Sequence, residues 1–130
     1  MRISRFAFPV LLAASLVAGA ATADPAQVEV LVGTNVICDT QQQAERYVTL
    51  FDGNAETAAS RVNDEENDPK ACLVATLAYV LGPDVAEARA RSGSFRIVRI
   101  LVLGVLTEAG IVAAVPEAFY SVLPIAERDA

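Results

Sequence analysis

Few residue types in this sequence are available for chemistry. Histidine is absent from the chain, which removes the commonest general base and the commonest neutral metal ligand. Without histidine no serine triad can form, and no serine of the chain lies in a Gly-x-Ser-x-Gly turn. We therefore predict no catalytic residue, no metal ligand set and no cofactor site.

Three carboxylates alternate in the polar segment 63–69, as the ligands of a calcium-binding loop do: Asp64, Glu66 and Asp68. The rest of that motif is missing, because Pro69 stands where the loop needs glycine and Ala75 where it needs glutamate. We expect an exposed loop, and a weak divalent-ion site is the alternative.

Four arginines form the basic group of the sequence, on either side of the turn Ser92-Gly93-Ser94: Arg89, Arg91, Arg96 and Arg99. If the flanking segments pair as strands, these guanidinium groups lie side by side and form a patch for an anion or a partner. The alternative is that they balance nearby carboxylates on the exposed face of a sheet.

The first 23 residues have the three parts of a secretory signal. Arg2 and Arg5 precede an apolar run over 6–20, and small residues follow at Ala21 and Ala23. Cleavage after Ala23 leaves 24–130 as a single small domain. An uncleaved membrane tether is the alternative, but the apolar run is about 15 residues long and a spanning helix needs about 20.

Export places the domain in the periplasm or outside the cell, without stable membrane insertion once the signal is removed. Loss of Arg2 and Arg5 changes the net charge from −6 to −8. This acidic balance opposes binding to phosphate backbones, so nucleic acid is not an expected partner.

Both cysteines, Cys38 and Cys72, belong to the exported part and lie 34 positions apart. An even number in a short exported chain predicts a disulfide, whereas a redox pair has the much shorter Cys-x-x-Cys spacing. Closing a loop of this length stabilises a fold by about 4 kcal/mol in the chain-entropy model.

Hydrophobic periodicity predicts a bent strand over 27–38 and then two short helices. Thr40 and Gln43 have the spacing of a capping box for a helix over 41–52. That helix carries an apolar stripe at positions i, i+3, i+4 and i+7: Ala44, Tyr47, Val48 and Phe51. Asn54 can begin the second helix.

The remainder favours strands. An apolar run over 71–81 predicts a central strand, and Gly82-Pro83-Asp84 predicts a turn. Segment 85–91 alternates like a strand but has the composition of a helix, and we favour the strand. The run 95–106 is expected to be the longest strand, with 111–115 pairing back after a hairpin and Pro116 interrupting that pairing.

This order of elements predicts an α+β fold. Two short helices pack on a mainly antiparallel sheet of four to five strands. The Cys38–Cys72 bond then clamps the helical pair between the first strand and the next one.

The segments Val-Ile-Cys-Asp-Thr at 36–40, Asn-Asp-Pro-Lys-Ala-Cys at 67–72 and Ile-Leu-Val-Leu-Gly-Val at 100–105 carry a resemblance. Over 36–123 the chain resembles small exported proteins of Gram-negative bacteria whose function is unassigned. The resemblance implies export and brings no activity, cofactor or site residue with it.

These observations lead to a hypothesis of a non-catalytic periplasmic or secreted domain that binds a protein or a small ligand through a sheet edge or the arginines. The alternative is a carboxylate-dependent hydrolase of cell-envelope sugars, which needs two acids across a cleft and a raised pKa on one of them.

Overall fold

The computed structural model describes residues 28–125. Within this range the elements are β1 (Val30–Cys38), α1 (Gln41–Leu50), α2 (Ala55–Glu66), β2 (Cys72–Ala90), β3 (Gly93–Thr107) and β4 (Gly110–Pro124). The α+β prediction is confirmed, with two helices and four strands in the described part. The predicted signal 1–23 and the charged tail 126–130 lie outside it.

The four strands form one antiparallel sheet that closes on itself in the order β1-β2-β3-β4. β1 and β2 pair over nine consecutive positions, from Val30 opposite Val80 to Cys38 opposite Cys72. β4 returns to β1 at the helical end of the sheet, where Ile37 lies opposite Ser121 and Cys38 opposite Tyr120.

The closed sheet has an apolar core on each of its two faces. The inner core fills the space between the strands: Ile37, Leu77, Tyr79, Val98, Ile100 and Val102. The outer core lies between the helices and the outer face: Val36, Cys38, Ala44, Tyr47, Val48, Ala58, Ala59, Val62, Cys72, Ile97 and Val122. Ile97 and Val98 are neighbours that point into different cores, which explains why the sequence of β3 is apolar on both faces.

The start of each helix follows its predicted cap. The Thr40 hydroxyl accepts the Gln43 amide at 3.1 Å, and the Gln43 side chain accepts the Thr40 amide at 3.1 Å. The Asn54 side chain accepts the Thr57 amide at 2.9 Å. These bonds satisfy amide groups that an uncapped helix leaves without partners.

The prediction of an exposed loop over 63–69 is wrong for its first half. α2 continues to Glu66 and ends at Asn67, which has the left-handed φ of 55°. Asn63 therefore lies on the last turn of the helix and faces β2, where its side chain bonds both backbone groups of Cys72. A polar residue that sequence reasoning placed in solvent contributes to the joint between helix and sheet.

The turn predicted at Gly82-Pro83-Asp84 is also wrong, because β2 runs through it. The pairing with β3 shifts register on both sides of Asp84, so the strand bulges and bends without ending. Gly82 permits the bend: a Cβ atom there would lie 2.5 Å from the carbonyl oxygen of Arg99. With this bulge β2 spans 19 residues and exceeds the 15 of β3, which we expected to be the longest strand.

The strand prediction for 85–91 is confirmed as far as Ala90, where β2 ends. The pairing of β4 on β3 is confirmed, and β4 continues past Pro116. Val102 lies opposite Glu117 and Gly104 opposite Ala113, so β4 holds two residues more than β3 between these pairs. Pro116 is one of the extra residues, a position that a residue without an amide proton tolerates.

The predicted disulfide between Cys38 and Cys72 is confirmed. The two residues are direct cross-strand neighbours at the ends of β1 and β2, with Cα atoms 4.1 Å apart. The bond holds the strand that precedes the helical pair to the strand that follows it.

Candidate functional site

The closure of the sheet between β1 and β4 is short. Two residue pairs join these strands within residues 28–125. At the next position the hydroxyl of Ser121, which is buried, donates to the carbonyl oxygen of Val36 at 2.6 Å. In a continuing ladder a backbone amide of the neighbouring strand would donate to this carbonyl oxygen, and here the Ser121 side chain donates instead. Beyond this point the backbones of β1 and β4 separate.

A cleft of about 260 Å³ lies where the two strands separate. Its walls are segments 34–36 of β1 and 122–124 of β4, and Tyr47, Phe51 and Phe95 contribute aromatic surface. We call this the seam cleft. Its lining holds no carboxylate, cysteine or histidine, so the chemistry that it offers is apolar contact together with backbone hydrogen bonding at a strand edge.

The helical stripe of α1 places the aromatic residues of the seam cleft. Tyr47 and Phe51 lie one turn apart with ring centroids separated by 5.7 Å, and Phe51 meets Phe95 of β3 edge to face at the same centroid distance. Burial raises the pKa of Tyr47 to about 12, so its phenol stays neutral at physiological pH. The sequence placed Tyr47 and Phe51 on an apolar stripe, and together with Phe95 they pack and line the seam cleft.

The four predicted arginines have separate surroundings. Arg89 donates to the Ser94 hydroxyl at 2.9 Å, and Arg96 forms an ion pair with Asp84 at 3.2 Å. The guanidinium carbon of Arg99 lies 6.0 Å from the ring centroid of Tyr120. Arg91 lines a second cleft at the end of α1 with Asp52 and Arg61. No partner is shared among these contacts, and the anion or partner patch stays a prediction.

Asp39 lies beside the disulfide, just before α1. Partial burial, and then repulsion from Asp68 and Glu117, raise the pKa of the Asp39 carboxyl. A raised pKa among further carboxylates is the feature that the hydrolase alternative requires. Nothing in the sequence pointed to this group, because its members belong to three separate segments.

The alternating carboxylates of segment 63–69 do not converge. The Glu66 carboxylate accepts the side-chain amide of Gln43 at 3.1 Å, which ties the end of α2 to the start of α1. The Asp68 carboxylate accepts the Lys70 amide at 2.9 Å. Asp64 lines a shallow surface cleft with its neighbours in the same segment.

Sequence reasoning missed the seam cleft and the role of Ser121 in the closure beside it. It also missed the bonds of Asn63 to the backbone of Cys72. A serine within the apolar stretch 118–123 was the available signal, since a buried hydroxyl in a strand requires a hydrogen-bond partner. The signal did not say which strand would supply that partner.

Comparison of the chain with family models, with curated proteins and with solved structures found no match. Among the described residues, neither helix has the length and apolar character that crossing a membrane requires.

Proposed function

We propose that this chain is exported and that its domain is a non-catalytic binding module, which accepts an extended apolar segment of a partner protein in the seam cleft. The observation that carries the proposal is the separation of β1 from β4 after two residue pairs. It leaves a cleft between two strand edges with aromatic residues in its lining.

The shape and lining of the cleft favour a peptide over a polar metabolite. A strand edge offers main-chain hydrogen bonds to an extended segment, and a neighbouring pocket supplies specificity for its side chains. A volume of about 260 Å³ is below the usual range for small-molecule sites and suits one large side chain. The expected ligand is therefore an extended segment with an aromatic or branched aliphatic anchor.

Export is supported by the leader sequence and by the disulfide, since such bonds persist in oxidising compartments. Material recovered outside the cytosol should begin at Asp24 and should lack two hydrogen atoms relative to the dithiol form. Intact-mass measurement checks both points, and retention of residues 1–23 or two free thiols would contradict the proposal.

Peptide binding is tested with a short uncharged peptide that alternates Thr and Val around a central Phe, and with a matched peptide that has Asp at the centre. Amide NMR shifts of the oxidised protein should change at 34–36 and 122–123 with the Phe peptide. The Asp peptide should bind at least tenfold more weakly, because the lining of the cleft leaves its charge unpaired.

A matched pair of variants distinguishes peptide binding in the seam cleft from binding elsewhere on the surface. Thr34 lines the seam cleft, and its hydroxyl contacts that of Thr76 on β2 at 2.6 Å. Thr34→Trp should block the cleft and abolish binding, whereas Thr76→Trp loses the same contact outside the cleft and should retain it. Absence of any binding up to millimolar peptide would refute the proposal.

The carboxylate hydrolase is a second candidate, favoured by the raised pKa of Asp39. It predicts release of reducing sugar from isolated cell-wall glycan, with loss of that activity in Asp39→Asn and in Glu117→Gln. An unchanged glycan after prolonged incubation with oxidised protein would remove this candidate.

A further inference from the structure

Tyr47 is a buried residue whose hydroxyl group has no hydrogen-bond partner within residues 28–125. Its side chain lies on the buried side of α1, and 5% of its surface is exposed. Burial is the cause that raises the pKa of the Tyr47 phenol. A buried hydroxyl that donates to nothing is uncommon in a folded protein and requires an explanation.

The location of Tyr47 supplies that explanation, because the residue lines the seam cleft. Tyr47 belongs to the outer core, so it approaches the cleft from the side of the helices. The other two rings in the lining, Phe51 and Phe95, carry no polar atom. The Tyr47 hydroxyl is therefore the hydrogen-bond donor of the aromatic wall.

Strand geometry determines which part of a bound segment meets this donor. A segment that extends the sheet between β1 and β4 directs its main-chain groups along the plane of the sheet, toward the two strand edges. Its side chains stand alternately above and below that plane. Because Tyr47 lies on the helical side of the sheet, it meets a side chain of the segment. The acceptor that the Tyr47 hydroxyl needs has to belong to that side chain.

We infer that the segment bound in the seam cleft is anchored by a tyrosine, whose phenolic oxygen accepts a hydrogen bond from the Tyr47 hydroxyl. This inference rests on the proposed function and narrows its aromatic or aliphatic anchor to one residue type. The ring of the anchor packs against Phe51 and Phe95, and its oxygen is a neutral acceptor. Phenylalanine and aliphatic side chains supply no acceptor, and a carboxylate would bring an unpaired charge into the cleft.

The unpaired hydroxyl also determines what Tyr47→Phe should do. In the free protein this substitution removes a buried polar group and breaks no hydrogen bond, so the melting temperature should stay the same or rise. In the complex it removes the donor to the anchor, so the affinity for a tyrosine peptide should fall. A tyrosine that only packs in the core would not combine these two effects.

Two peptides test the inference: the uncharged Thr and Val peptide with Phe at its centre, and a matched peptide with Tyr there. Amide NMR titration of the oxidised protein gives a dissociation constant for each. The Tyr peptide should bind the unmodified protein about fivefold more tightly. Tyr47→Phe should abolish this preference. Tyr79→Phe is the matched control, since Tyr79 is buried in the inner core outside the lining of the seam cleft, and it should keep the preference.

Equal affinity of the two peptides for the unmodified protein would overturn the inference and leave peptide binding in the seam cleft intact. A preference for Tyr that persists in Tyr47→Phe would overturn it in the same way. A lower melting temperature in Tyr47→Phe would show that the hydroxyl has a partner in the free protein, which also contradicts the inference. If neither peptide binds up to millimolar concentration, the proposed function fails and the inference fails with it.

Discussion

The side-chain amide of Asn63 pairs with both backbone groups of Cys72: the Cys72 amide donates to Oδ1 at 2.7 Å, and Nδ2 donates to the Cys72 carbonyl at 3.0 Å. Nδ2 also donates to the Pro69 carbonyl at 3.0 Å. One residue at the end of α2 thus acts as a strand partner for the first residue of β2, on the edge opposite β1.

Asn63→Ala should lower the free energy of unfolding by about 1–3 kcal/mol, because it leaves two backbone groups of the buried Cys72 without these partners. Urea denaturation followed by circular dichroism measures the change. Ser60→Ala, an exposed substitution one turn earlier in α2, is the control. Equal losses of unfolding free energy in the two variants would show that the Asn63 hydrogen bonds add nothing specific to stability.

Reduction of the Cys38–Cys72 bond should lower the free energy of unfolding by about 2–4 kcal/mol, since the bond closes a loop with a sequence separation of 34. Denaturation with and without reductant, compared with the Cys38→Ala/Cys72→Ala double variant, measures the effect. The reduced protein and the double variant should agree. A midpoint that does not respond to reductant would contradict the expected stabilisation.

Ser121→Ala should destabilise the closure between β1 and β4 by about 1–3 kcal/mol, because the buried Val36 carbonyl oxygen loses the Ser121 hydroxyl as donor. Hydrogen exchange of the amides around residues 37 and 121 should accelerate. Ser92→Ala, in the exposed turn between β2 and β3, provides the control and should leave exchange unchanged. Unchanged protection in Ser121→Ala would mean that the two residue pairs alone hold the closure.

Asp39→Asn should stabilise the protein at pH 7 and leave its stability nearly unchanged at pH 3. The folded-state pKa of Asp39 is raised above 3.8 by burial and by Asp68 and Glu117. Between the unfolded-state pKa and the higher folded-state pKa of Asp39, the native state binds more protons than the unfolded state. The free energy of unfolding therefore falls as the pH rises through that interval. The gain at pH 7 should stay below about 1 kcal/mol because Asp39 is largely exposed.

Denaturant midpoints at pH 3 and pH 7 check the Asp39 prediction. Asp52→Asn removes one negative charge beyond the other end of α1 and controls for net charge. A loss of stability at pH 7 in Asp39→Asn would reverse the sign and contradict the assignment of repulsion to this group.

Gly82→Ala should cost about 1–3 kcal/mol, because the added Cβ would lie 2.5 Å from the Arg99 carbonyl oxygen. At Gly33 the nearest heavy atom to an added Cβ is Nδ2 of Asn35 at 3.7 Å, so Gly33→Ala should cost less than about 1 kcal/mol. Thermal melts of the two variants measure this difference in stability. Equal melting temperatures would show that β2 adjusts at its bulge without strain.

Local patterns were sufficient where a single segment holds all of the interacting groups. The capping box of Thr40 and Gln43, the Asn54 cap and the apolar stripe of α1 each depend on neighbours within one or two helical turns. Their geometry follows from the helical repeat, and the sequence therefore predicted both helices. The Cys38–Cys72 pairing was predicted for a different reason, because two cysteines allow one intramolecular bond.

The sequence pattern misled where tertiary packing overrides a local preference. Gly82-Pro83-Asp84 is a typical turn sequence, yet β3 continues its pairing with β2 through a bulge. Asn63 belongs to a polar run typical of a loop, but bonding to the backbone of Cys72 holds it at the end of α2. In both cases the partner that decides the outcome comes from another element.

The sequence by itself thus determined the helices, the disulfide and the α+β class. Only the tertiary structure decided how the sheet closes, where β1 and β4 separate, and which apolar residues belong to the inner and the outer core. The physical reason is that strand register is set between segments far apart in the chain, and a shift of one residue exchanges the two faces of a strand. A sequence that is apolar on both faces, as in β3, cannot specify that register alone.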